Sequence, residues 1–195
     1  MIDIRTLQDT NKEHYFRLVD LLRENWGHLT GVDFLHFTRR ARSGMKDYVA
    51  MDSKPLAIIQ TVGLRSLKPL KTMNYHFLEL FREPEQPRYR LCLDITVARE
   101  ARGLEKHLLD YAIFQTACFE PSVERFLTYT PEGIETWHLE NGAETTTIET
   151  ISIARPGHYE PSVVILDYSK RLNEYRQKLR ELGPLARMIR VEQNS

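Results

Sequence analysis

Tyr89-Arg90-Leu91-Cys92-Leu93-Asp94-Ile95-Thr96-Val97-Ala98-Arg99-Glu100-Ala101-Arg102-Gly103-Leu104-Glu105-Lys106-His107-Leu108-Leu109 carries a strand, a turn and the start of a helix in one run. Tyr89 to Val97 reads as a strand, and it runs straight into Arg99 to Gly103, which breaks it. Leu108, Leu109, Ala112, Ile113 and Thr116 then recur on one helical face. Alternation puts Tyr89, Leu91 and Leu93 on one side of the strand and Cys92, Asp94 and Thr96 on the other. Asp94 is therefore this face's carboxylate. It is a candidate base if the face lines a cleft, and a partner for a basic residue if the face meets a helix.

The pattern extends in both directions from this unit. Upstream, Ile2 to Leu7 alternates as a strand, and Gln8-Asp9-Thr10-Asn11 supplies a turn and a helix cap. Tyr15, Leu18, Val19, Leu22 and Trp26 follow at helical spacing, with a second helical segment near Asp33 to Arg42. Tyr48 to Met51, the turn Asp52-Ser53-Lys54-Pro55 and Leu56 to Leu64 predict an antiparallel hairpin. Arg65 to Arg88 is aromatic-rich, with Tyr75, Phe77 and Phe81, and ends in Pro84 and Pro87, as an inserted helix or flap over a site does.

Downstream, Val123 to Tyr129 predicts a strand, and Ile134 to Glu140 a short helix stopped by Asn141-Gly142. Strands are expected near Thr147 to Ile153 and Ser162 to Tyr168, and a charged helix at Leu172 to Leu182. The expected fold is α/β: a mixed, mostly antiparallel twisted sheet of about six to seven strands flanked by helices. One domain is expected over 1–186, with a polar tail over 187–195.

Composition narrows the function classes. Hydrophobic residues make up 42% and charged residues 28%, the balance of a folded domain. The 27 basic and 27 acidic side chains cancel, which disfavours general nucleic-acid binding. Cys92 and Cys118 fit neither a disulfide framework nor zinc-ligand spacing, and the histidines show no paired metal-binding motif. No signal pattern opens the chain, and no apolar run reaches the roughly 20 residues of a membrane helix. A soluble, cytoplasmic protein without a metal is the expectation, and its oligomeric state is left open.

The order strand, two helices, three strands, helix, strand, helix, two strands resembles that of the GNAT N-acyltransferases. Val97-Ala98-Arg99-Glu100-Ala101-Arg102-Gly103 resembles the family's acyl-CoA motif, in which a strand ends in Val-x-Pro-x-x-Arg-Gly. The resemblance implies an acyl thioester as co-substrate. The backbone at Ile95, Thr96 and Val97 would hydrogen-bond the pantetheine arm, and Arg102-Gly103 would approach its phosphate. The family continues with a longer glycine-rich loop. Here the chain reads Arg-Gly-Leu-Glu-Lys-His-Leu-Leu, with Gly103 as its glycine and Glu105 where phosphate would sit. Acetyl-CoA or another acyl-CoA is one donor so implied. The phosphopantetheine thioester of an acyl carrier protein, which presents a single phosphate, is the other.

Trp137-His138-Leu139-Glu140-Asn141-Gly142-Ala143 resembles the family's late motif and sets His138 where a general-acid tyrosine often stands. An unperturbed imidazole, with a pKa of about 6.5, exchanges protons readily at neutral pH. A structural histidine bonded to a backbone carbonyl is the alternative. Val123 to Thr130 matches the strand that splays to admit the thioester, with Thr130 at its end. This half is also similar to the GNAT-like loading domains of modular polyketide synthases, where a threonine and a histidine are implicated in malonyl decarboxylation and acyl transfer. The matching residues are Thr130 and His138. The leading expectation is thus a GNAT-type acyltransferase, with a malonyl-thioester decarboxylase or S-acyltransferase, or a non-catalytic binding module, as the alternatives.

Overall fold

The computed structural model describes residues 2–26, 34–68, 83–133, 135–148 and 163–183. Among them the chain runs β1 (Asp3–Thr6), α1 (His14–Trp26), α2 (Phe34–Arg42), β2 (Tyr48–Met51), β3 (Pro55–Leu64) and β4 (Tyr89–Val97). It continues through a 3-10 turn (Arg99–Ala101), α3 (Leu104–Phe119), β5 (Arg125–Pro131), α4 (Thr136–Glu140), β6 (Glu144–Thr145), β7 (Val163–Asp167) and α5 (Ser169–Glu181). The strands form one seven-stranded mixed sheet in the order β1-β2-β3-β4-β5-β7-β6, as the α/β expectation required. Most of the strand expected near Thr147 to Ile153 lies outside the described residues; ahead of it a two-residue strand, Glu144–Thr145, pairs with Asp167 and Leu166 of β7. Most of the expected aromatic flap lies outside the described residues.

Two compact units interleave along the sequence. One comprises Met1–Gly63, Asn74–Pro84 and Cys92–Ala112; the other Leu64–Met73, Glu85–Leu91 and Ile113–Ser195. In the first, Tyr15, Leu18, Val19 and Leu22 of α1 are buried with Leu7, Phe37, Val49, Met51, Ile58 and Ala98 in one apolar cluster. The helical period of α1 thus meets β2 and β3 on a common core. β2 and β3 pair antiparallel across Tyr48↔Ile59 and Ala50↔Ala57, with a register shift at Ala50/Met51 beside the Asp52–Lys54 turn. Pro55 takes the first position of β3, where its missing N–H does least harm.

The buried face of α2 includes His36 and Arg40 as well as Phe37. Arg40 is held by Asp47 through two bonds, Nε to Oδ2 at 2.6 Å and Nη2 to Oδ1 at 2.8 Å, and donates a third to the Thr61 carbonyl at 2.9 Å. Asp47 Oδ1 also accepts the Thr61 N–H at 2.9 Å, and its own carbonyl accepts the Leu7 N–H at 2.9 Å. Both side chains are excluded from water.

In the second unit, β5 pairs antiparallel with β7 from Leu127↔Asp167 to Pro131↔Val163. Phe126, Leu127, Ile165 and Leu166 of these strands are buried, as are Leu172 and Leu179 of α5. Arg176 of α5 donates to the carbonyls of Glu120 at 3.0 Å and Val123 at 2.7 Å, which joins α5 to the loop before β5.

Removing one member of the buried ion pair leaves a charge that nothing replaces. Asp47→Ala is expected to destabilise the protein by about 3–5 kcal/mol, read as a lowered midpoint in urea unfolding. A midpoint within error of wild type would contradict the role given to the pair.

Candidate functional site

The first unit holds the residues of the β4–turn–α3 segment. Asp94 is half-buried and its Oδ2 accepts a short hydrogen bond from Thr96 Oγ1, which confirms that the two share a face of β4. That bond occupies one carboxylate oxygen and fixes the side chain along the strand. Ile95 is half-buried, and Thr96 and Val97 are buried. The Val97 carbonyl takes a long bond, 3.4 Å, from Asn25 Nδ2 of α1, while the Ala98 N–H donates to the Leu56 carbonyl at 2.8 Å. Asn25 was not legible as a site residue, since a polar residue near a helix end carries no signal of the carbonyl it meets.

Arg102 and Gly103 lie exposed at the start of α3. Gly103 has φ +100°, a left-handed conformation that glycine adopts without strain. Its N–H points to Glu105 Oε2 at 2.6 Å. A helix N-terminus offers such N–H groups to anions, and here the chain's own carboxylate takes one of them. The sequence reading set Glu105 where phosphate would sit; the structure bonds Glu105 to the turn's glycine.

The second unit holds Thr130 and His138. Thr130 is buried in β5 opposite Val164, and its hydroxyl makes no hydrogen bond to the described residues. His138 sits in α4, whose end has the geometry that Asn141-Gly142 predicted. The Ala143 N–H reaches back to the His138 carbonyl at 2.9 Å and the Gly142 N–H to the Leu139 carbonyl at 3.0 Å, the paired bonds of a Schellman cap. Gly142 has φ +85°, and an added Cβ would lie 3.1 Å from Arg171 Cδ. Arg171 in turn donates to the Asn141 carbonyl at 3.0 Å, so glycine serves both the cap and this close approach.

His138 Nδ1 lies 2.9 Å from the Tyr168 hydroxyl, and the Trp137 ring packs edge-on against the imidazole at 5.0 Å. Nε2 makes no hydrogen bond to the described residues. Burial disfavours the charged imidazolium and pushes the pKa of His138 from 6.5 down to about 4. The expectation of an unperturbed imidazole is therefore corrected: at neutral pH the ring is uncharged, with one nitrogen donor and one acceptor. Tyr168 was read only as the end of a strand. Its signal in the sequence was the position just past an alternating run, which says nothing of a histidine elsewhere in the chain.

Among the described residues no group of three or more His, Cys, Asp or Glu is arranged to hold a metal, and no helix is long and apolar enough to cross a membrane. Cys92 and Cys118 are both buried, an environment that disfavours the thiolate a nucleophile needs.

No protein-family model and no curated protein matches the sequence. Solved structures do. The loading GNATL domain of CurA from Lyngbya majuscula is similar with a TM-score of 0.67 at 16% identity, over 86% of this chain and 97% of that one. The GphF GNAT-like decarboxylase, solved in complex with isobutyryl-CoA, is similar with a TM-score of 0.66 at 15% identity, over 85% and 97%. The ribosomal-protein-alanine N-acetyltransferase from Brucella melitensis gives 0.59 at 15%, over 85% and 98%. The chain has the GNAT fold.

Because the unfolded chain binds a proton at His138 near 6.5 and the folded chain only near 4, the unfolded state gains protons first as pH falls. The contribution of this site to stability is therefore intact above 6.5 and declines between about 6.5 and about 4. Urea unfolding across that window is expected to show a falling midpoint, and His138→Gln is expected to flatten the fall. An NMR titration that puts His138 at its ordinary value would contradict the assignment.

Proposed function

We propose that this protein acts on an acyl thioester and that its chemistry is the decarboxylation of a malonyl-type thioester. The observation that carries the reading is the uncharged His138, bonded at Nδ1 and with no hydrogen bond from Nε2 to the described residues. Decarboxylation breaks the bond between the carboxylate carbon and the α-carbon. The electron pair moves into the thioester carbonyl, carbon dioxide leaves, and the resulting enolate takes a proton from water at the α-carbon to give an acetyl thioester. The step needs no external oxidant or reductant. What accelerates it is a hydrogen-bond donor aimed at the developing enolate oxygen, and a neutral imidazole N–H serves that role without first having to be protonated.

Thr130 adds a second polar group. It lies in β5, where the residue is buried, and on this reading its hydroxyl would meet the ligand's carboxylate or carbonyl oxygen. On the same reading Ile95, Thr96 and Val97 line the pantetheine arm, and Arg102 and Gly103 meet its phosphate. The likenesses to a loading GNATL domain and to a GNAT-like decarboxylase support this choice of chemistry. The coenzyme complex of GphF supports a coenzyme A thioester as one donor, and an acyl carrier protein is the alternative donor.

A second reading is transfer of the acyl group to an amine, with Asp94 as base, and the N-acetyltransferase among the similar structures supports it. The Thr96 hydroxyl on Asp94 Oδ2 weakens that reading, because it occupies one of the two carboxylate oxygens that a base would use.

The deciding experiment incubates the protein with malonyl-CoA and acetyl-CoA, separately and with a malonylated carrier protein, and follows the thioesters by mass spectrometry. Loss of carbon dioxide from malonyl-CoA or the malonylated carrier is expected, with His138→Ala lowering the rate about 100-fold or more while the fold is kept. Transfer of acetyl to an amine without decarboxylation would overturn the reading. Glu105→Gln removes the charge at the α3 turn and is expected to tighten coenzyme A binding roughly fivefold, measured by calorimetry.

A further inference from the structure

We infer that Arg171 is a positioning residue: it ties the end of α4 to the first turn of α5 and so holds His138 beside Tyr168. The inference rests on the thioester reading only for the reaction that His138 serves.

α4 is five residues long, too short to stand as a helix without tertiary support. Its start supplies little. Glu135, at the capping position, turns its carboxylate back to the Gly133 N–H at 3.0 Å. The bonds gather at its end. The Asn141 N–H donates to the carbonyls of Trp137 at 3.1 Å and His138 at 3.2 Å, and the Ala143 N–H to that of His138 at 2.9 Å. Asn141 Nδ2 adds a bond to the Trp137 carbonyl at 2.7 Å. All of these run within residues 137–143, so they shape the cap without tying it to another element.

The tie comes from α5. The Tyr168 hydroxyl donates to the His138 carbonyl at 3.3 Å, and Arg171 Nη1 donates to the Asn141 carbonyl at 3.0 Å. The two donors stand three residues apart, on one side of the first turn. The arginine bond is the shorter, and a cation suits the carbonyl end of a helix. Its stem adds shape. Arg171 Cδ and Cγ lie 3.1 and 3.5 Å from where a Cβ on Gly142 would stand, so glycine lets the stem lie directly on the cap. α5 is anchored in its turn, with Leu172 and Leu179 buried and Arg176 bonded to the carbonyls of Glu120 and Val123. Arg171 thus passes the anchoring of α5 to a short helix that has little of its own. An α4 released from this tie would let water reach the imidazole, relieving the desolvation that lowers its pKa, and would spoil its aim at a bound thioester.

The test is an NMR titration of the full chain labelled with 15N-histidine, with His138 assigned by its loss in His138→Gln, and malonyl-CoA kinetics on the same variants. In the wild type His138 titrates at about 4. Arg171→Met keeps a stem over Gly142 and loses the donor; His138 is expected to rise to about 5 or higher, and kcat to fall about tenfold with little change in KM. Arg171→Lys keeps the charge and a donor, and is expected to stay near wild type in both readouts. Gly142→Ala leaves every charge in place but pushes the stem off the cap, and is expected to behave as Arg171→Met does. An arginine that only stabilises the fold would lower the urea midpoint in Arg171→Met and leave the His138 titration and kcat at wild type, which overturns the inference. A rise in Arg171→Met with none in Gly142→Ala overturns it too, since loss of the charge alone would then account for the rise. Should Gly142→Ala fail to fold, the contrast between Arg171→Met and Arg171→Lys decides. If His138 titrates as stated but malonyl-CoA is untouched, the thioester reading fails and the positioning role stands. If decarboxylation requires His138 while Arg171→Met changes neither readout, the positioning role fails alone.

Discussion

Arg40 and Asp47 are removed from water together, and the first unit is arranged around that fact. Burying either ion alone would cost several kcal/mol even after relaxation, so each must meet its full set of partners. The guanidinium meets two carboxylate oxygens and the Thr61 carbonyl; the carboxylate also meets the Thr61 N–H. These bonds tie α2 to the loop before β2 and to the middle of β3, and the Asp47 carbonyl adds β1 through Leu7. A matched apolar pair can supply equal stability at such a place. What an apolar pair lacks is direction. Bidentate geometry favours one registration of helix against strands, which the mixed apolar and basic buried face of α2 alone specifies less sharply.

The same logic recurs in the second unit with a different group. Asp167 is a carboxylate at the point where β7 becomes α5, and it is held from the strand side by Arg125 and from the helix side by Ser169. The consequence is a backbone held on both sides of Tyr168, whose side chain is fully buried. Across from it, Gly142 ends α4 in a conformation that a side chain would strain, and Arg171 packs into the space that the missing Cβ leaves. Two backbone corners, each set by a residue with a specific physical reason to be there, thus fix the distance between a phenol and an imidazole.

The sequence spoke clearly where period and punctuation coincide. The face of α3 formed by Leu108, Leu109, Ala112, Ile113 and Thr116 is buried as the spacing required, and Asn141-Gly142 stops α4 with the predicted cap. The alternation that grouped Asp94 with Thr96 is seen in their hydrogen bond. The sequence was weaker where a strand is two residues long, since Glu144–Thr145 offers too little alternation to separate it from the Thr-rich stretch that follows. It was silent on contacts between distant residues. Nothing in the local chemistry of Arg40 marks it as buried, and nothing near His138 names Tyr168. The pKa of His138 was misjudged for the same reason, because desolvation is a property of the surroundings and not of the motif.

That desolvation bears on which reaction the site can serve. A thiolate leaving group has a conjugate acid with a pKa of about 8.5, so its departure is helped by an acid that is protonated at neutral pH. An imidazole with a pKa of about 4 is charged in only about one molecule in a thousand at pH 7, which makes the imidazolium a scarce acid. Its neutral form is present in nearly every molecule and still has one N–H to offer. The chemistry that matches a permanent weak donor is one in which negative charge grows on an oxygen and needs stabilisation more than it needs a proton. Loss of carbon dioxide from a malonyl thioester has that requirement; acyl transfer to an amine also passes through an oxyanion, but it is helped in addition by an acid for the departing thiolate. On the proposed reading, the burial that weakens His138 as an acid leaves it a donor for an enolate.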